Sequence, residues 1–288
     1  MLKVAVEPTP RRRRLASEVR LARTRLGWSV EQAAAALGYG SASTISKIEN
    51  GTQGIKPQQL PHFFDVLQIA DPAVQEAWRE MVRNARDRDW HQRYPGVADD
   101  PLGDYLANLE IANTLFIWCP VVVHGLLQCD DYERAVVVAS RAWKSGEDIE
   151  RFITVRRNTR LSALSRKTPL RIWAVLTEAQ LRQEVGGRAT ARAQVLHLIE
   201  LARAHRDIVI QVVPLSRGAH AGTDGPYMAW TFPTGHDSVT IEGMKTALHL
   251  NDPATVTDYH TCSDHLKTDA LPPKESLELL ARIAKDLL

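Results

Sequence analysis

"LGYGSASTISKIENG", residues 37–51, is the stretch from which the rest of this chain can be read. Gly38 and Gly40 interrupt the backbone, and Asn50-Gly51 is a stop signal of the kind that ends helices. Between them, Ile45 and Ile48 stand three residues apart, so on a helix they share a side. The remaining positions carry small hydroxyls and one cation: Ser41, Ser43, Thr44 and Lys47. A rod this short is held only by its apolar seam, and the seam needs neighbours to bury it.

Those neighbours lie upstream. Leu15, Val19, Leu21, Ala22 and Leu26 recur at helical spacing and predict a helix over 11–26, closed by Gly27. Ser29 with Gln32 has the spacing of a capping box for a second, alanine-rich helix over about 30–37. A third follows over 41–49, a fourth over 60–67, and Asp71-Pro72 opens a fifth running to about Arg88. Two short helices joined by a glycine turn, with Ala33, Leu37, Ile45 and Ile48 as their buried seam, form a helix-turn-helix.

In that motif the N-terminal residues of the second helix reach base edges, and small side chains let it sink into the major groove. Ser41, Ala42, Ser43 and Thr44 are therefore the candidates for base contact, and Lys47 for base or phosphate. Ser29 and Gln32, at a helix N-terminus, are phosphate candidates. Arg11, Arg12, Arg13 and Arg14, with Arg23 and Arg25, supply further cations for phosphate. The net charge of +2 conceals an asymmetry: residues 1–70 hold ten Lys/Arg against five Asp/Glu, the remainder 26 against 29. A basic first segment expects a polyanion partner.

The motif residues Leu37, Gly38, Ser43, Ile45, Ser46, Ile48, Glu49 and Gly51 resemble the Cro/cI-type (XRE) helix-turn-helix. The resemblance implies a five-helix domain that binds double-stranded operator DNA, usually as a homodimer. Val30 departs from the pattern, standing where many members carry a glutamine. Further on, "WHQRY" (90–94), "VVVHGLLQCDDYERAV" (121–136), "WAVLTEAQLRQEVGG" (173–187) and "VIQVVPLSRGAHAGTDGPY" (209–227) resemble the long C-terminal domain of WhiJ-like, antitoxin-like regulators of actinobacteria. That likeness implies regulation through a small partner protein encoded nearby. It also leaves an alternative, an antitoxin-like interaction module whose main role is to hold that partner.

Beyond the first domain, helical patterns are predicted over 104–118, 130–145 and 147–165. LRIWAVL (170–176) and IVIQVVPL (208–215) read as neighbouring strands around a helix at about 188–205. Three short strands (YMAWTF, SVTIEG and ALHLN) and a helical C-terminus, broken at Pro272-Pro273, complete the pattern. The fold expected is an N-terminal all-α five-helix domain followed by a larger α+β regulatory domain. Its limits are a flexible lead-in at 1–10, the DNA-binding domain at 11–75, a connecting helix and junction at 76–103, and the α+β domain at 104–288.

Nothing in the pattern asks for catalysis. No GxSxG, HExxH or P-loop is present, so the chain is expected not to be an enzyme and to need no cofactor. The loop 217–226 holds His220 and Asp224, which are candidates for ligand or partner contact along with Trp90 and Arg93. Aromatics at a domain boundary also read as packing. His260 and His265 lie five apart, about 140° around a helix, and offer no metal site with Cys262. Three cysteines without CxxC pairing, no leader-like segment and no apolar run long enough to span a bilayer lead to the expectation of a cytoplasmic protein without a membrane partner.

Overall fold

Pro10 opens α1 (Pro10–Arg25), whose Val19 and Ala22 face inward. The computed structural model describes residues 10–83, 100–140, 145–166, 168–233, 237–243 and 246–288. It divides into two units that meet in sequence between Ile111 and Ala112. In the first unit, α1 ends in a turn with Gly27 at φ +69°, a left-handed angle that glycine takes without strain. The capping box then forms as the spacing predicts. The Ser29 hydroxyl accepts from the Gln32 N–H at 3.2 Å, and the Ser29 N–H donates to Gln32 Oε1 at 2.7 Å. The helix so started is α2 (Val30–Ala36).

Gly38, at φ +73°, lets the chain reverse: its N–H and that of Tyr39 donate to Ala35 O and Ala34 O at 3.1 and 2.8 Å. The next helix is α3 (Ala42–Glu49), with Ser41 as its N-cap. A 3-10 turn leads into α4 (Leu60–Val66), and α5 (Pro72–Arg83) follows; residues 84–88, expected to extend it, lie outside the described residues. The core joins Val19, Ala33, Leu37, Ile45, Ile48, Phe63 and Trp78. Another helix, α6 (Asp100–Ile111), packs on α1.

The second unit is built on a six-stranded sheet. Its strands are β1 (Thr114–Trp118), β2 (Arg171–Thr177), β3 (Ile208–Val213), β4 (Tyr227–Thr231), β5 (Ser238–Glu242) and β6 (Ala247–Leu250), in the order β3-β2-β1-β4-β5-β6. The first three neighbours run parallel and the rest antiparallel. The helices are α7 (Asp130–Ala139), α8 (Gly146–Leu164), the single turn α9 (Glu178–Leu181), α10 (Arg188–Ala204), α11 (Pro253–Asp269) and α12 (Pro273–Asp286). Val256 and Leu266 of α11 pack on the face carrying Trp118, Val175, Tyr227 and Val239. The open edge of β3 is met by the turn between α11 and α12, where the Leu271 N–H donates to Val212 O, and by the first turn of α12, where Ser276 Oγ accepts from the Val212 N–H.

The helix expected over 104–118 is corrected here. It ends at Ile111, and Thr114–Trp118 is a central strand. Leu115 and Ile117 are buried on one face, Phe116 and Trp118 on the other. A strand covered on both sides loses the alternation that would mark it, and a short apolar run after a helix then looks like more helix. The helix expected over 130–145 stops earlier too, at Ala139. A carboxylate on it, Glu133, is fully buried between two arginines of α8: Arg156 Nε at 2.6 Å and Arg160 Nη1 at 2.7 Å.

Candidate nucleic-acid interface

The three-residue and four-residue spacings of α3 sort its side chains into two sets. Ile45, Ile48 and Glu49 are buried, whereas Ser43, Ser46 and Lys47 are exposed and Thr44 flanks them half-buried. The hydroxyls of Ser43, Thr44 and Ser46 and the ammonium of Lys47 make no hydrogen bond or ion pair to any described residue. The outer face is therefore a strip of small, unengaged donors and acceptors beside one cation. Ser41 differs. It is exposed, but its hydroxyl accepts from the Ser43 N–H at 3.2 Å and so caps the helix. Ala42 is half-buried at the first turn.

The inner face is pinned by an ion pair as well as by the isoleucines. The Arg23 guanidinium grips Glu49 bidentately, Nε to Oε1 at 2.6 Å and Nη2 to Oε2 at 2.9 Å, and also donates to Trp28 O at 2.7 Å. The bond to Glu49 raises the Arg23 pKa above its usual value. Arg20 donates to Glu49 O at 3.0 Å and to Asn50 Oδ1 at 2.9 Å. Two guanidinia on α1 thus fix the C-terminal end of α3, where cations also suit the helix dipole. Behind it, the Tyr39 hydroxyl accepts from Gln59 Nε2 at 3.0 Å, and its ring meets Phe63 edge-on.

Several cations expected to reach phosphate are engaged internally. Arg14 is nearly buried and pairs with the buried Glu18 at 2.7 Å. Arg23 is committed to Glu49, and Arg25 donates to the Leu67 and Gln68 carbonyls at the end of α4. Arg14 and Arg23, on the inward flank of α1, meet carboxylates, and the exposed Arg25 meets helix-end carbonyls that otherwise lack partners. Arg12 lies against Gly54, where a Cβ would come within 3.0 Å of its Nη2. The side chains of Arg11 and Arg13 lie outside the described residues, as do Trp90 and Arg93. Ser29 spends its hydroxyl on the cap and on Glu31, whose carboxyl a backbone N–H and that hydroxyl hold below the usual range. Gln32 keeps its amide NH2 free of partners among the described residues. Ser46 is the exposed position the sequence reading did not single out, although its spacing from Ser43 and Lys47 places it on their face.

The glycine loop of the second unit separates its two candidates. The His220 ring turns inward, edge-on to Trp118 at 5.1 Å, and Nδ1 accepts from the Gly222 N–H at 3.2 Å. Asp224 is exposed and lines a cavity of about 270 Å³ with Tyr259 and Cys262. Gly222 is required by contact: a Cβ there would stand 2.3 Å from the Trp118 indole, whose N–H donates to Gly222 O. His260 Nε2 lies 3.1 Å from the Asp237 carboxylate.

The comparisons with known families follow the same division. Residues 14–78 match a helix-turn-helix domain model, in agreement with an XRE-like DNA-binding domain at this end. Residues 103–282, more than half of the chain, match a second family model. The chain belongs to the family described as Domain of unknown function (DUF5753). In this DUF5753 member the matched segment begins within α6 and takes in the whole sheet. No curated protein and no solved structure matches the chain. With the helix-turn-helix at its front, this is a DNA-binding regulator. No helix among the described residues is long and apolar enough to cross a membrane.

Proposed function

We propose that this chain is a sequence-specific transcriptional regulator of the cytoplasm, without enzymatic activity, that reads the major groove with α3. The observation that carries the proposal is the outer face of that helix. Among the described residues, the side chains of Ser43, Thr44, Ser46 and Lys47 have no partner, while Arg20 and Arg23 fix the helix from behind. Hydroxyls and an ammonium presented at a fixed angle match base edges and phosphates. The protein acts as a homodimer, so its two reading helices address half-sites about one DNA turn (~34 Å) apart. The DUF5753 unit receives the signal, a small partner protein or a ligand, that changes DNA affinity. Footprinting on the region upstream of its own gene, with and without the product of the adjacent gene, tests this. A protected pair of half-sites, weakened or strengthened by that product, is expected; uniform protection of unrelated DNA would contradict sequence reading. Affinity should also fall steeply with salt as condensed counterions are released.

A further inference from the structure

A cavity of about 320 Å³ opens in the second unit at the end of the sheet where the parallel strands begin. The register explains its floor. Thr114 lies beside Arg171 and Thr231, and Phe116 beside Trp173 and Ala229, all on one face. The α11 helix covers the other end of that face and brings His260, Ser263 and Lys267, on successive turns of one side, to the rim.

Its chemistry is mixed. Phe116 and Trp173 form an aromatic bed, and the Lys267 ammonium stands 5.4 and 5.1 Å from their ring centres. Lys267 also reaches Asp264 at 2.9 Å. Arg171 and Arg206 are exposed on the lining, and neither side chain has a hydrogen bond or ion pair to a described residue. Asp207 is the one carboxylate among the described residues of the lining, and His260 is turned to Asp237. Among the described residues of the lining, Arg171, Arg206 and Lys267 therefore stand with one carboxylate, and Lys267 shares a second, Asp264, over an apolar floor in a space large enough for a small ligand.

We propose that this cavity binds a small organic anion with a flat apolar body, a carboxylate or a phosphate monoester, whose ring lies along Phe116 and Trp173 and whose charge meets Lys267 and the two arginines. A neutral aromatic leaves the guanidinia unused, and a bare inorganic anion leaves the bed uncovered. The inference rests on reading the DUF5753 unit as the receiving half of the regulator, and it names the chemistry received.

Calorimetric titration of the full chain tests it with benzoate and phenyl phosphate, and with benzyl alcohol and inorganic phosphate as the two halves of that chemistry. At least one aromatic anion is expected to bind about tenfold or more tighter than either half, as charge-assisted hydrogen bonds in a site require. The double variant R171A/R206A should lose about tenfold in affinity with an unchanged melting temperature, because both side chains are exposed and have no partner among the described residues. Absence of binding by both aromatic anions at millimolar concentration, equal binding of benzyl alcohol, or undiminished binding by the double variant would overturn the site. Repeating the titration with the upstream duplex present separates the two claims. Ligand binding that leaves DNA affinity unchanged keeps the site and removes its regulatory role; no ligand binding with DNA binding intact removes the site alone.

Discussion

Glu49 in the first unit and Glu133 in the second are both buried carboxylates held by two arginines from a neighbouring helix, yet they are enclosed to different depths. Glu49 meets Arg23, which is nearly buried, and Arg20, whose side chain is about half exposed. Glu133 is 0% exposed, and its partner Arg160 is almost as deeply enclosed and reaches Asp130 as well. The first pair aims a helix whose other face is bare; the second clamps α7 to α8 inside the unit. Similar chemistry thus serves orientation where one side stays open, and cohesion where both are closed. Charge counts along the chain do not distinguish the two uses, and burial does.

Removing each carboxylate should expose that difference. Glu133→Ala takes the shared, fully buried carboxylate from two guanidinia, leaving Arg160 with Asp130 and Arg156 with Gln128, and should cost the second unit about 3–5 kcal/mol, read from its own unfolding transition in urea. A cost below about 1 kcal/mol would mean the clamp is no stronger than a surface pair. Acid should act on the same cluster. Burial, and then the Arg156 charge, push His124 down to about 3 from the usual 6.5. The unfolded chain therefore binds the extra proton first, and stability of the second unit should fall as pH drops below about 6.5, by up to ~1.4 kcal/mol per pH unit, until about 3. His124 Nδ1 accepts from the Leu126 N–H at 3.4 Å, and His124→Asn, which can keep an acceptor there, should flatten that slope; an unchanged slope would assign the acid sensitivity to other groups.

In the more open cluster, Glu49→Ala should cost the first unit about 1.5–3 kcal/mol and weaken DNA binding beyond what the lost stability explains, because α3 loses its angle. Loss of stability with unaltered DNA affinity would show that the pair only holds the fold. Smallest is Ser29→Ala, which removes one half of the capping box and should cost roughly 1 kcal/mol in the same transition, with DNA affinity reduced only modestly.

Legibility in the sequence followed the range of the forces involved. The capping box at Ser29 and Gln32, the turn at Gly38 and the Ile45–Ile48 seam depend on residues within a few positions of one another, and each forms where its pattern lies. The strands around α10 were equally plain, because their apolar runs stand apart from that polar-faced helix, one ending in a capped turn and the other in a glycine loop. β1 was not, since its pairing strands β2 and β4 come from distant sequence and its side chains are buried on both faces of the sheet. The outward strip of α3 was mostly readable, with Ser46 passed over. The fate of Arg23 was not, because an arginine beside a distant carboxylate looks the same in sequence as one facing solvent, whereas the Arg14–Glu18 pair lies at a readable four-residue spacing and was passed over. The basic rim at Arg171, Arg206 and Lys267 is assembled from three separate elements and has no local signature at all.

The central claim is that the bare face of α3 is what meets DNA. Fluorescence anisotropy of a labelled duplex from the upstream region, titrated with the double variant Ser43→Ala, Lys47→Ala across a series of salt concentrations, tests it most directly. The account predicts an affinity loss of about tenfold or more, a salt slope shallower by about one counterion and an unchanged melting temperature, since neither side chain bonds to a described residue. Wild-type affinity and slope in that variant would contradict it.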